Sequence, residues 1–258
     1  MIISIIIATL NSEKTLPHLL DSVYEQDCLD NFEIIFIDGN SEDATLELIE
    51  NHPLNSILVS EIDFGIYDAL NKGIKISSGE FYLVIGSDDY FVRGAFSKLI
   101  HEIKTNSGYD LYLFPVIKGN KIVRPRKLNY LRRIISWSWI FSSHSMGTLI
   151  KKDLHNYLGF YSNKYPLLAD GDFFKKAIIN CSTIHISNVT LGVFGSEGVT
   201  SLKSVQLVGE TWMIQVENGE NIFIQTILLI LRVTLIYAQK IFLLRMVCTT
   251  PAKSRVDA

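Results

Sequence analysis

The chain has 258 residues, 48% of them hydrophobic and 20% charged, which is enough apolar material for a sizeable core and excludes a chain disordered throughout. Its net charge of −3 is a cancellation, because residues 1–110 carry six Lys/Arg against nineteen Asp/Glu (−13) while residues 111–152 hold nine basic residues and no acid. Residues 153–221 return to −3 and residues 222–258 to +4, a segregation that predicts separate surfaces for separate partners.

In chain order, the first apolar run is Ile2 to Ile7. It lacks a basic leader and passes directly into Asn11, Ser12 and Glu13, so it reads as a strand rather than a signal peptide, and a cytoplasmic location is expected. Ser12 or Thr15 then opens a helix in which Leu16, Leu19, Leu20 and Val23 share one face, with Pro17 tolerable only in the first turn. Runs at Phe32 to Ile37, Ser56 to Ile62 and Phe81 to Ile85 are short and rich in β-branched or aromatic residues, so they read as buried strands. Asn40, with Asp43 three residues on, signals a helix start after the second strand; helical spacing recurs at Ile66, Ala69, Leu70, Ile74 and at Phe96, Leu99, Ile100, Ile103. Strand alternating with helix implies an α/β fold, a mostly parallel sheet covered on both faces. Further on, Leu111 to Ile117 and Lys121 to Pro125 form strands around Gly119 and Asn120, and Asp153 to Leu158 and Gly171 to Ile179 are helical. Cys28, Cys181 and Cys248 have neither disulfide nor zinc spacing.

The chemistry lies in where the acids fall. Asp38, Asp63 and the pair Asp88 and Asp89 each follow a predicted strand, and in an open parallel sheet those carboxyl ends face one ligand crevice. Crowded carboxylates need a cation or hydrogen-bond donors to offset them; as turn formers and helix caps they would have the donors, and as a cation site their hard oxygens suit Mg²⁺ or Mn²⁺ bridging to a phosphate. Neither GxGxxG nor GxxxxGK[ST] is present, which disfavours a dinucleotide oxidoreductase or a P-loop NTPase.

The segments Ser4 to Asn11, Phe36 to Thr45 and Ser60 to Gly73 resemble, in order, blocks of family 2 glycosyltransferases, inverting enzymes with a GT-A fold; the third is similar to a block from a bacterial branch that builds surface polysaccharides. The resemblance implies a Rossmann-like, mostly parallel central sheet flanked by helices, transferring sugar from a nucleotide-sugar donor to a glycan or lipid-linked saccharide. It matches Ser87, Asp88 and Asp89 to the family's DxD position, with Ser for the first acid, Asp89 as metal ligand and Asp88 assisting. Thr9 and Asp38 match the nucleotide pocket, and Asn71 and Lys72 the elements flanking the diphosphate. Ala169-Asp170 stands where the commoner pair is Glu-Asp, implying Asp170 as the base for the acceptor hydroxyl, with Asp172 as rival. His144 aligns with an acceptor-side segment, and Gly198 to Ser201 with a loop near the diphosphate. Trp137 and Trp139 suit sugar stacking or one buried strand face. The other readings are a nucleotidyltransferase on a related sheet and a non-catalytic membrane-associated assembly partner.

The acid-free segment, with Lys118, Lys121, Arg124, Arg126, Lys127, Arg132 and Arg133, predicts an anionic partner on the acceptor or membrane side rather than nucleic acid. Ile222 to Val247 is apolar on most sides but carries Arg232 too centrally for an ordinary spanning helix, which predicts an interfacial helix or helical pair at the inner membrane face, the alternative being a helix buried on the domain or in a dimer. The expected organisation is a catalytic domain over 1–221, with a donor half to 110 and an acceptor half from 111, followed by a helical tail over 222–258.

Overall fold

The computed structural model describes residues 2–126, 144–180, 182–195 and 204–249, with side chains in the last stretch from 205 to 238. Lys127, Arg132, Arg133, Trp137, Trp139 and Gly198 to Ser201 lie outside the described residues. The chain divides into two compact units, Met1–Gly198 and Val199–Ala258.

The first unit is built on a seven-stranded sheet. Strands β1 (Ile3–Thr9), β2 (Phe32–Asp38), β3 (Ile57–Ser60) and β4 (Phe81–Gly86) run parallel in the order β4-β1-β2-β3. Ile3, Ile5, Ile6 and Ile7 are completely buried, as a central strand covered on both faces requires. β3 departs from the expected buried strand: it is the sheet's edge, and its Ile57 is 41% exposed. Three helices lie between or after these strands, α1 (Leu16–Tyr24), α2 (Thr45–Asn51) and α3 (Ile66–Ile76), with Leu16, Leu19, Leu20 and Val23 of α1 buried as their spacing requires. Gly73 lets α3 press on the sheet, since a Cβ there would stand 2.5 Å from Ile6 Cγ2 and 3.2 Å from Ile37 Cγ1. α2 begins five residues after Asn40 because residues 39–44 wrap the end of β2: the Ser41 amide and hydroxyl are both spent on Asp38, and Asp43 Oδ1 accepts the Thr45 amide at 3.0 Å instead.

Beyond β4 the chain forms a two-residue strand β5 (Tyr90–Phe91) and helix α4 (Ala95–Thr105). The expected strand 111–117 is two strands: β6 (Leu111–Leu113) joins the large sheet, and β7 (Val116–Lys118) pairs antiparallel with β8 (Lys121–Val123) around Gly119 and Asn120. Pro115 lies at the changeover, where its missing N–H breaks a ladder. β9 (Thr148–Lys151) runs antiparallel between β4 and β6, and β10 (Ile184–Ile186) is parallel to β6, making the large sheet mixed, in the order β10-β6-β9-β4-β1-β2-β3. β11 (Gly192–Phe194) joins β5, β7 and β8 in a second sheet of four. Helices α5 (Leu154–Leu158) and α6 (Ala169–Ile179) also belong to this unit.

The second unit contains α7 (Ser204–Glu217) and α8 (Ile222–Thr249). Gly219, with φ of +86°, turns the chain between them, and Asn221 Oδ1 caps the start of α8 by accepting the amides of Phe223 and Ile224 at 3.0 and 3.2 Å. Trp212 Nε1 donates to Thr226 Oγ1 at 3.2 Å across the pair. The helical unit thus takes in α7 as well as the tail expected from 222. Among the described residues no helix is long and apolar enough to cross a membrane.

Candidate active site

The parallel register brings the acids together. Thr9, Asp38 and Ser60 are paired across β1, β2 and β3, and Ala8 is paired with Gly86, so four strand ends form one edge. At its centre Asp38 is fully buried and richly solvated by protein: its Oδ1 accepts the hydroxyls of Thr9 (3.0 Å) and Ser41 (2.5 Å), and its Oδ2 accepts the Ser41 amide (2.8 Å) and the Ser60 hydroxyl (2.9 Å). Four donors on one carboxylate make burial of its charge tolerable and fix its plane. Thr9 and Asp38 therefore meet at the ends of β1 and β2. Ser41 and Ser60 are members the sequence did not single out, although both lie inside the resembling blocks.

The β4 end continues the edge. Ser87, in place of the first acid, accepts a hydrogen bond from the Ser12 hydroxyl at 2.9 Å, tying the loop after β1 to that after β4. Asp89 is 1% exposed; its Oδ2 accepts the Gly86 amide and its Oδ1 the Gly195 amide, each at 2.9 Å. Burial is the main reason its pKa rises to about 6; the two amides oppose the rise and Asp88 adds to it. Asp88 lies half-buried against Gly195, where any Cβ would collide with its carboxylate. A buried carboxylate held above its ordinary range beside a second carboxylate fits a divalent cation, which would favour the charged form of both. Among the described residues no group of three or more His, Cys, Asp or Glu side chains is arranged to hold a metal. The pair would thus supply part of a coordination shell, with phosphate oxygens and water as the rest.

Helix α3 carries the next residues. Lys72 donates to the Ile62 carbonyl at 2.9 Å and pairs with Glu61 at 2.9 Å and Asp68 at 3.3 Å; the two carboxylates raise its pKa, the Glu61 hydrogen bond most of all. It therefore ties down the loop after β3, whose rim exposes Ile62, Phe64 and Ile66. Asn71 is buried, with its amide spent on one backbone unit: Nδ2 donates to the Tyr161 carbonyl at 2.8 Å and Oδ1 accepts the Tyr161 amide at 3.0 Å. Its contribution is to hold the chain before α6.

The two rival bases differ sharply. Asp172 is buried, and its Oδ2 is 2.6 Å from Lys176 Nζ one turn on, a contact that fixes it within α6. Asp170 is half-buried in the first turn of α6, and its Oδ1 accepts both the Tyr67 hydroxyl (2.7 Å) and the Gly171 amide (2.8 Å). Tyr67, on α3, thereby links this carboxylate to the strand-end edge. Behind it, Tyr161 and Tyr82 lie hydroxyl to hydroxyl at 2.9 Å, and Tyr82 reaches His155 Nε2 at 2.7 Å. His144 lies against Phe194 of the smaller sheet, the residue before Gly195, with a ring-centroid distance of 3.7 Å; burial, aided by Lys118, lowers its pKa to about 4.

Residues 4–165 match the model for glycosyl transferase family 2. The chain belongs to that family. A PGL/p-HBAD biosynthesis glycosyltransferase of Mycobacterium bovis is 30% identical over 177 residues, covering 66% of this chain and 67% of the relative. Among solved structures, S. aureus TarS 1–349 in complex with UDP-GlcNAc superposes with a TM-score of 0.68 at 23% identity, covering 89% of this chain and 70% of that one. The mannosyltransferase PcManGT of Pyrobaculum calidifontis, in complex with GDP-Man and Mn²⁺, gives a TM-score of 0.64 at 20% identity, covering 88% and 67%. These likenesses extend the shared fold beyond the matched residues 4–165, over most of this glycosyltransferase.

Proposed function

We propose that the protein is an inverting, metal-dependent transferase that moves a sugar from a nucleotide-sugar donor to a hydroxyl of a glycan or lipid-linked saccharide in surface polysaccharide synthesis. The observation that carries this reading is the shared edge at the carboxyl ends of β1, β2, β3 and β4, where Asp38 and the Asp88–Asp89 pair converge. Residues 1–110 are the donor half and 111–221 the acceptor half. Thr9 and Asp38 face the nucleotide; Asp89, assisted by Asp88, would hold Mg²⁺ or Mn²⁺, which when bound would supply positive charge to the leaving diphosphate. Asp170 takes the proton of the acceptor hydroxyl as it attacks the anomeric carbon; the burial of Asp172 and its contact with Lys176 favour Asp170 for that role. Lys72 supports the donor side by fixing the loop after β3, and Asn71 holds the chain before α6 on the acceptor side.

The test is a panel of UDP-, GDP- and dTDP-sugars with Mn²⁺, scored for thermal stabilisation and for product. One donor class stabilises the protein and yields a nucleoside diphosphate; release of pyrophosphate would identify a nucleotidyltransferase instead. The second unit is proposed to lie against the inner membrane face, supported by exposed Phe223, Ile227, Ile230, Leu231 and Leu235 on α8 and the +4 balance of residues 222–258. Flotation with anionic vesicles, lost in a chain ending at Asn221, is the expected result; equal flotation of both chains refutes it.

A further inference from the structure

We infer that Tyr67 is a positioning residue for the catalytic base, a role that rests on the assignment of Asp170 as that base. The geometry is specific. Tyr67 lies in the first turn of α3, and its hydroxyl stands 2.7 Å from Asp170 Oδ1 and 3.1 Å from the Leu167 carbonyl oxygen. Both partners are acceptors, and a phenol has one hydrogen to give. The shorter, charge-assisted contact to the carboxylate takes it while Asp170 is ionised. Once Asp170 has taken the acceptor's proton, the attraction that held the hydrogen weakens, and the Leu167 carbonyl is in place to accept it. Tyr67 thus holds the carboxylate before proton transfer and has an alternative partner afterwards.

The setting makes this hold rigid. The Gly171 amide meets the same Oδ1 at 2.8 Å, so two donors from different elements fix the carboxyl plane. One turn along α3, Asn71 grips the Tyr161 backbone with both ends of its amide, and the Tyr67 and Tyr161 rings lie 5.6 Å apart. Tyr67 and Asn71, at i and i+4, are therefore two clamps on one helix face, holding the chain before α6 and the first turn of α6. Because α3 directly follows β3, whose end supplies Ser60 to Asp38, the same helix sets both the donor edge and the base. Burial raises the pKa of Tyr67, and the negative Asp170 adds to the rise, so its hydroxyl remains a donor throughout the working range.

The test is a double-mutant cycle of Tyr67→Phe and Asp170→Asn, read as release of nucleoside diphosphate from the UDP-, GDP- and dTDP-sugar panel with Mn²⁺, water serving as acceptor. Tyr67→Phe keeps the ring and removes the hydroxyl. It lowers kcat about ten- to a hundredfold, the range expected for losing a hydrogen bond to a charged group, and leaves the donor KM within about twofold. In the Asp170→Asn background the same change has no further effect. Melting temperatures of all four proteins, with and without donor, confirm that donor binding persists. An unchanged kcat in Tyr67→Phe, or an equal loss in both backgrounds, overturns the positioning role while leaving the base assignment standing. Full turnover by Asp170→Asn, or no turnover by the unmutated protein on any donor, overturns the base assignment and this inference with it.

Discussion

Acid should weaken the protein through one buried histidine. His155 is 6% exposed; its Nδ1 lies 2.9 Å from the Gly159 carbonyl oxygen, so Nδ1 carries the hydrogen and Nε2 accepts from Tyr82 at 2.7 Å. The Tyr82 oxygen in turn accepts from Tyr161 at 2.9 Å. Protonating Nε2 sets a second N–H against the Tyr82 hydrogen and forces the chain of hydroxyls to reverse. Burial dominates the resulting fall in pKa from 6.5 to about 4; the Gly159 hydrogen bond opposes it and Lys152 adds to it. The unfolded chain therefore binds this proton more readily than the folded one, so stability is full above the ordinary histidine pKa and is lost as pH falls through the window down to the folded value. A drop of that size corresponds to about 3 kcal/mol in all, with about 2 kcal/mol lost between pH 7 and pH 5. Urea unfolding followed by far-ultraviolet circular dichroism measures this in the unmutated protein and in His155→Gln, which retains an acceptor for Tyr82 and does not titrate. His144 titrates in the same range in both proteins and cancels in the comparison. The unmutated protein should lose about 2 kcal/mol more than the variant over that interval; parallel pH dependences would refute the role given to His155.

Three further outcomes are expected. Asp170→Asn lowers turnover by about a hundredfold or more, whereas Asp172→Asn leaves kcat within a few-fold and lowers the urea midpoint, because its partner is Lys176; the reverse pattern would transfer the base to Asp172. Asp89→Ala reduces donor-induced thermal stabilisation to the level that excess chelator produces in the unmutated protein, and chelator then has no added effect on the variant; a variant still sensitive to chelator would place the metal elsewhere. Gly73→Ala brings a methyl to 2.5 Å from Ile6 Cγ2 and should cost about 1–3 kcal/mol in urea unfolding; an unchanged midpoint would mean that α3 can lift from the sheet freely.

The sequence by itself determined the alternating architecture and the acidic strand-end edge, because both rest on local signals. Apolar runs too short for helices give β1 to β4, and a parallel sheet places residues following its strands at a common end, so Asp38 and the Asp88–Asp89 pair were legible before any coordinates. Other features depend on contacts between residues distant in the chain. β3 has the composition of a buried strand but lies at the edge because, among the described residues, it pairs with β2 alone, and β9, four residues long, gains its place from two antiparallel neighbours. The choice between Asp170 and Asp172 is of the same kind. Two carboxylates two residues apart look equivalent in a helix start, yet α6 points one at Tyr67, 103 positions earlier, and the other at Lys176 four positions on. Hydrogen-bond partners across such separations leave no periodicity or spacing in the chain, so only the packing of α3 against the approach to α6 gives the two carboxylates different surroundings.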